Sequence, residues 1–332
     1  MVLCRAPLSL FIAPPADNSR RSFMRGRMVC LSDGSIEEYQ SSKKSQLVVS
    51  ITGATGFIGR RLVQKLIADQ RFPEIVIAEE EEWSKCIEGS NAVVNLAGMP
   101  ISTRWSSEVK KEIKQSRIKV TSKVVDLINK LNSSERPSVL ISATAIGYYG
   151  TSDTQVFDET SPSGNDYLAE VCREWETIAL EVDKDVRLLL LRIGVVLGRD
   201  GGALAKMIPL FKTFAGGPLG SGKQWFSWIH LDDLVNLIYE ALRNPSYKGI
   251  VNGTAPHPVR LSEMCDQLGQ VMGRPSWLPV PDFVLKAVLG EGATIVLEGQ
   301  KVLPVKAKKL GFTFKYPFVK DALRDIISSG ST

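Results

Sequence analysis

ITGATGFIG, residues 51–59, decides the fold. It follows a short β-branched run, QLVVSIT (46–52), and opens onto FIGRRLVQKLIADQ (57–70), where Ile58, Leu62 and Leu66 recur at helical spacing with basic residues opposite. A strand, a glycine turn and an amphipathic helix in that order form the first half of a dinucleotide-binding unit. Gly53 allows the tight turn, Gly56 lets the backbone approach a pyrophosphate, and Gly59 lets the helix pack closely on the strand. Ala54, Thr55, Phe57 and Ile58 complete the cofactor-binding turn. The helix N-terminus offers unpaired N–H groups and about half a positive charge to phosphate. A glycine turn that binds nothing is the alternative, and the agreement of strand, glycines and helix argues against it.

The alternation continues downstream. EIVIAE (74–79), AVVNLAG (92–98), VLISATAIGYYG (139–150) and RLLLLRIGVVLG (187–198) read as strands, with helices over 106–131 and 166–182. Continuously apolar strands separated by helices imply a parallel sheet covered on both faces. The expected architecture is α/β: a Rossmann-type doubly wound parallel sheet over 47–200, then a smaller C-terminal substrate lobe over 201–327. No internal repeat is visible. The 332 residues, 44% apolar and 23% charged, supply an ordinary core. The longest apolar run, VRLLLLRIGVVLG (186–198), is broken by Arg192 and falls short of the ~18–20 residues of a membrane span, so no transmembrane helix is expected.

Residues 1–46 show neither helical nor strand periodicity, and Asp17 is the only acid among the first thirty. Richness in Arg, Ser, Pro and Ala, without a long apolar stretch, fits an organelle transit peptide, and the Ser/Pro content favours the chloroplast. A disordered tail is the alternative. The leader holds seven of the basic and four of the acidic side chains, so it carries most of the formal +5 and no nucleic-acid-binding face is implied. Five scattered cysteines without a C-x-x-C pair read as reduced thiols, and two histidines, His230 and His257, support no metal site.

Longer matches now become legible. NLAGMPIS-x-RW (95–105), SRIKVTSKVVDLI (116–128), SATAIGYYG (142–150), CREWE (172–176), GGPLGSGKQWFSWIHLDDL (216–234) and LEGQKVLPVKAKKLGF (297–312) resemble, in order, the SulA-like epimerase family of the extended short-chain dehydrogenase/reductases. That family has bacterial members and a plant chloroplast form linked to plastid division. The resemblance covers roughly residues 47–327 and implies an NADP cofactor, with NAD less favoured. It assigns cofactor contacts to Asn95, Leu96, Glu112, Arg117 and Val196. Arg117 suits phosphate because a guanidinium grips it as a fork. Glu112 and Arg117 could instead be a solvated helix pair, and Val196 plain core.

Two departures qualify the resemblance. An acid or an Arg about 20 residues after the glycines ordinarily chooses between NAD and NADP. Here Glu79 stands 26 residues after Gly53, which taken alone would mean NAD. Yet one strand-like segment, not two, lies between the first helix and AVVNLAG, and the tract Glu79–Trp83 resembles the end of the family's third strand. The second strand, with its Ser/Thr-Arg for the 2′-phosphate, is missing after Gln70, a loss of about twenty residues. Either NADP binding is weak or absent, or EIVIA slides into the vacant place.

The second departure concerns Tyr-x-x-x-Lys, in which Lys lowers the Tyr pKa for acid/base work. In DYLAEVCREWE (166–176) one register gives Leu168 and Cys172, the other Tyr167 and Val171, and neither has the Lys. Substitute catalytic candidates are Thr144, Tyr148, Tyr149, and His230 paired with Asp232, each with packing as the alternative. Two functions compete: an NADP-dependent oxidoreductase or epimerase acting on a small or sugar-like substrate over GGPLGSGKQW (216–225), and an inactive dinucleotide-binding regulatory protein with protein partners in plastid division. LPVPDFVLKAVLG (278–290) is the best amphipathic stretch for peripheral membrane contact, with core packing the favoured role.

Overall fold

The computed structural model describes residues 48–69, 74–77 (backbone only) and 83–328. The leader and Glu79 therefore lie outside the described residues.

In chain order the first elements are β1 (Val48–Thr52), α1 (Phe57–Ile67), β2 (Glu74–Ile77), α2 (Trp83–Ile87), β3 (Ala92–Asn95), α3 (Ser107–Lys130) and β4 (Val139–Ala145). A 3-10 turn (Ile146–Tyr149), β5 (Val156–Phe157), α4 (Tyr167–Ala179), β6 (Arg187–Ile193), β7 (Val195–Gly198) and α5 (Gly202–Lys212) follow. Next come β8 (Trp225–Phe226), β9 (Trp228–His230), α6 (Leu231–Arg243), β10 (Gly249–Gly253), β11 (Val259–Arg260) and α7 (Leu261–Met272). The chain closes with α8 (Asp282–Leu289), a second 3-10 turn (Glu291–Ala293), α9 (Thr294–Leu297), β12 (Lys301–Val302), α10 (Val305–Lys309) and α11 (Val319–Ser328).

Six strands form one sheet in the order β10-β6-β4-β3-β1-β2, every neighbour parallel. Alternate residues of each strand serve opposite faces. Val49, Ile51, Val94, Ile141, Leu191 and Val251 join Leu62 and Leu66 of α1 and Leu234 and Ile238 of α6 in one core. Val93 and Leu140 meet Val124 and Ile128 of α3 on the other side. The doubly wound α/β expectation therefore holds. β10 and α6 extend it beyond residue 200: the chain enters the lobe and then returns to supply the sheet's far edge.

β2 lies beside β1, pairing Val48 with Glu74 through Ile51 with Ile77. The EIVI segment thus occupies the place next to β1, the second of the two alternatives above. The expected strand 187–198 divides at Gly194, where β7 leaves the sheet to pair with β9. A Cβ at Gly194 would stand 2.7 Å from the Ser227 carbonyl, so only glycine permits that crossing. Core packing does not describe α8. It buries Leu285 alone, while Phe283 is 73% and Val288 60% exposed.

The C-terminal segment docks on α6 through a buried carboxylate. Asp233 is fully buried and accepts hydrogen bonds from the amides of Lys315 (2.8 Å) and Tyr316 (2.9 Å). Asp233→Ala orphans both amides, and urea denaturation is expected to show a loss of roughly 2–3 kcal/mol.

Candidate dinucleotide site and the cleft beside it

The turn begins at Gly53, whose φ of +72° lies in the left-handed region. A side chain there would also meet the Leu96–Ala97 peptide at 2.9 Å, so the turn presses against the end of β3. Gly59 is tighter still, with a Cβ 2.2 Å from the Gly53 carbonyl oxygen. Gly56 starts α1, which has no side-chain cap and no acid in its first turn. The helix end thus keeps its positive pole unneutralised. The Phe57 ring turns away and fills a glycine hairpin, since a Cβ at Gly198 or Gly201 would fall 2.6 or 2.5 Å from it. Those two glycines were missed in the sequence, where RIGVVLGRDGG read as strand and loop.

Arg117 of α3 reaches the same edge. Its guanidinium donates to the carbonyls of Ile113 and Met99, both at 2.9 Å, and lies against Gly98. Among the described residues no carboxylate pairs with it. Burial pushes its pKa below the ordinary value. Arg117 and the uncapped turn thus meet the same β3–α3 connection, Gly53 at Leu96–Ala97 and Arg117 at Gly98–Met99, and among the described residues no carboxylate neutralises that cation. Leu96 closes the β3 end by donating its amide to Thr52. Asn95 is buried, its side chain held by Thr52 (2.6 Å) and Thr121 (2.9 Å), so it positions the strand end. Glu112 is exposed, one turn before Ser116, whose hydroxyl accepts from the Met99 amide. Val196 is half-buried in β7 and pairs with Ile229.

Three catalytic candidates are held in the hydrogen-bond network of the fold. Thr144 donates to Glu176 at 3.0 Å. Glu176 in turn receives a forked pair of hydrogen bonds from Arg192, at 2.8 and 2.7 Å. Arg192 also donates to the Tyr149 hydroxyl, which donates to Asn252. Burial pushes the Tyr149 pKa up to about 12, so it remains a neutral phenol. Burial opposes the Arg192 charge, but Glu176 more than offsets it and the Arg192 pKa is raised. His230 does not pair with the Asp232 carboxylate. Its Nδ1 accepts from the Asp232 amide and caps α6, while that carboxylate binds Arg61 at 2.7 Å. Tyr148 stands apart. Its ring lies under the Arg192 guanidinium at 3.4 Å, and among the described residues its hydroxyl has no partner.

Leu168 and Cys172 face Gly147 of the 3-10 turn, within 3.3 and 3.9 Å of a Cβ built there. The first register is therefore the one the fold packs against the 3-10 turn, with Cys172 buried. Burial pushes the Cys172 thiol up to about 12. Leu168 has no proton to exchange, and the buried Cys172 thiol is held in its neutral form. The GGPLGSGKQW loop is occupied with holding the C-terminal segment: a Cβ at Gly217 would lie 2.0 Å from the Leu278 carbonyl, and Gln224 donates to Leu219 and Val296.

A six-stranded parallel sheet with an open helix end and an uncompensated arginine defines a Rossmann-type dinucleotide-binding fold carrying a second lobe. The chain belongs to the NAD dependent epimerase/dehydratase family, whose model matches residues 49–252. A domain of unknown function matches residues 280–326. The chain is 71% identical over 307 residues to the epimerase family protein SDR39U1 homolog, chloroplastic, of Arabidopsis thaliana, covering 86% of this chain and 88% of that protein. It is 36% identical to the mouse epimerase family protein SDR39U1, over 84% of this chain and 99% of the relative. A crystal structure of human SDR39U1 (isoform 2) with NADPH superposes with a TM-score of 0.81 at 34% identity, covering 85% of this chain and 99% of that one.

Burial pushes the His230 pKa below 6.5, against the opposing pull of Asp232 and Asp325 and aided by Lys315 and Arg61. The unfolded chain protonates this histidine near pH 6.5 and the native chain does not, so stability is full above that pH and falls as pH drops below it. His230→Asn keeps a capping side chain without the titration. Its Tm is expected to fall less than the wild type's between pH 7 and pH 5 in thermal melts, conditions chosen on the order of the histidine range.

Proposed function

We propose that this chain is an NADP(H)-binding protein of the chloroplast in which the epimerase fold serves cofactor-dependent regulation. The observation that carries the reading is Arg117, a half-buried cation with no carboxylate partner among the described residues, on the connection that the uncapped glycine turn also meets. The α1 amides at Phe57, Ile58 and Gly59 and the Arg117 guanidinium would hold the phosphate oxygens. Asn95 and Leu96 set the strand end against which the ligand rests, Glu112 stands at the rim, and Val196 forms the far wall. When bound, a nicotinamide dinucleotide supplies hydride transfer. NADP is favoured over NAD because the human relative was crystallised with NADPH. Leu168 and Cys172, where acid/base residues are usual, favour binding without turnover.

A second reading, an oxidoreductase or epimerase acting on a small or sugar-like substrate, rests on Tyr148, the phenol left uncommitted. Chloroplast import by the leader is supported by its composition and by the chloroplastic relative. The resemblance in sequence to a family with a form linked to plastid division makes that process the setting in which to seek protein partners. Stromal residence with peripheral membrane contact is supported by the exposed Trp277, Phe283 and Val288. No helix among the described residues is long and apolar enough to cross a membrane.

Calorimetric titration tests the binding. Arg117→Met is expected to weaken NADPH by about 10–100-fold with an unchanged Tm, as the loss of one charge-assisted contact implies. Equal affinity in wild type and variant would remove Arg117 from the site. Tyr148→Phe separates the two functions. Under the regulatory reading it leaves both NADPH binding and in-vivo complementation intact, whereas Gly56→Val abolishes both.

A further inference from the structure

The β3–α3 connection, residues 96–106, is held at both ends. Its first residues, Leu96 to Met99, meet Gly53 and Arg117 at the dinucleotide site. Its last residues are fastened to the second lobe. The Trp105 amide donates to the Leu289 carbonyl at 3.0 Å, and Trp105 bridges to Gly290. The Trp105 ring is buried against Gly292, where a Cβ would stand 2.9 Å away. Arg104 donates to the carbonyls of Ala287 and Val288, Lys110 pairs with Glu291 at 2.7 Å, and Lys206 of α5 donates to Ser102 at 2.8 and 2.9 Å. In return α8 has little other anchorage, with Leu285 its one buried side chain.

We propose that α8 and the 3-10 turn after it, residues 282–293, form a clasp on this connection, so that clasp closure and dinucleotide binding favour each other. The proposal rests on the binding reading above and adds its regulation. The physical basis is shared geometry. Ten residues, Leu96 to Trp105, carry both the Gly53 contact and the Leu289 contact, and both ends must be in place for the segment to lie against the site. A weakly anchored helix is an element that opens locally at low cost. If closure strengthens binding, binding must strengthen closure by the same factor, and couplings of about 5–150-fold are usual. Whatever loads or frees α8 would then tune cofactor affinity without touching the site.

Arg104→Ala removes the guanidinium grip, and Trp105→Phe shrinks the ring that packs against Gly292 and removes its indole N–H bond to Ile101 within the connection. Lys286→Ala, on the same helix with no contact to the connection, is the control. Hydrogen exchange in the cofactor-free full chain is read first. Arg104→Ala should speed exchange across both 96–106 and 282–293, while Lys286→Ala leaves 96–106 unchanged. Unchanged exchange at 96–106 in both Arg104→Ala and Trp105→Phe overturns the clasp. With NADPH added, wild-type exchange across 282–293 should slow, and Arg104→Ala should bind about tenfold more weakly. NADPH affinity equal to wild type in both variants overturns the coupling. A wild type that binds no NADPH overturns the binding reading instead, and the cofactor-free exchange still judges the clasp.

Discussion

The forked ion pair between Arg192 of β6 and Glu176 of α4 is the constraint around which the centre of the molecule is arranged. Both groups are almost fully buried, at 1% and 5% exposure. Removing two charges from water costs several kcal/mol per ion unless geometry and added hydrogen bonds compensate. The compensation comes from Thr144, Tyr149 and, through Tyr149, Asn252 of β10. Five elements (β4, the 3-10 turn, α4, β6 and β10) are tied by one network, which fixes where α4 sits on the sheet. That position sets which residues meet the 3-10 turn. It brings Leu168 and Cys172 to Gly147 and turns Glu176 inward. The polar groups Thr144, Tyr149, Glu176 and Arg192 are thereby spent on holding the fold.

The parts of the fold that follow from local periodicity were legible. The turn at 51–59, the helices starting at Ser106 and Asp166 and the parallel order of the sheet all express short-range signals: glycines at fixed spacing, capping side chains, apolar runs. Asp166 accepts from the Ala169 amide and Ser106 from the Val109 amide, as their positions before helical repeats suggest. What was not legible depended on contacts between distant residues. Thr144, Tyr149 and His230 look chemically capable in sequence, and only the fold shows their partners at Glu176, Asn252 and α6. The break at Gly194 was hidden because β6 and β7 are equally apolar. Exposure of α8 was hidden because an amphipathic pattern does not say whether a core exists to receive it.

Of the candidate site, the phosphate end was readable and the reacting end was not. Glycines act through backbone geometry, which spacing reveals. Arg117 could be placed only by resemblance, because its significance lies in what is missing around it. A cation in water needs no explanation, whereas one half-buried against Gly98 without a carboxylate does. The relation between lobe and sheet was likewise beyond reach. The GGPLGSGKQW segment reads as a ligand loop, yet Gly217 and Gln224 use it to seat the C-terminal segment.

The strand beside β1 has a consequence for behaviour outside the cell's dilute conditions. β2 is the outermost strand, so one side of its backbone carries no partner from the sheet. Unpaired strand edges recruit foreign strands and seed aggregation. β2 is only four residues long, and the sequence runs directly into Ala78 and four consecutive glutamates, Glu79 to Glu82. A short edge followed by concentrated negative charge is a poor template for a second copy, because stacking two such edges would juxtapose like charges. In sequence terms, the acidic tract that confuses the reading of cofactor choice also places like charge directly after the edge strand, which disfavours pairing of two such edges.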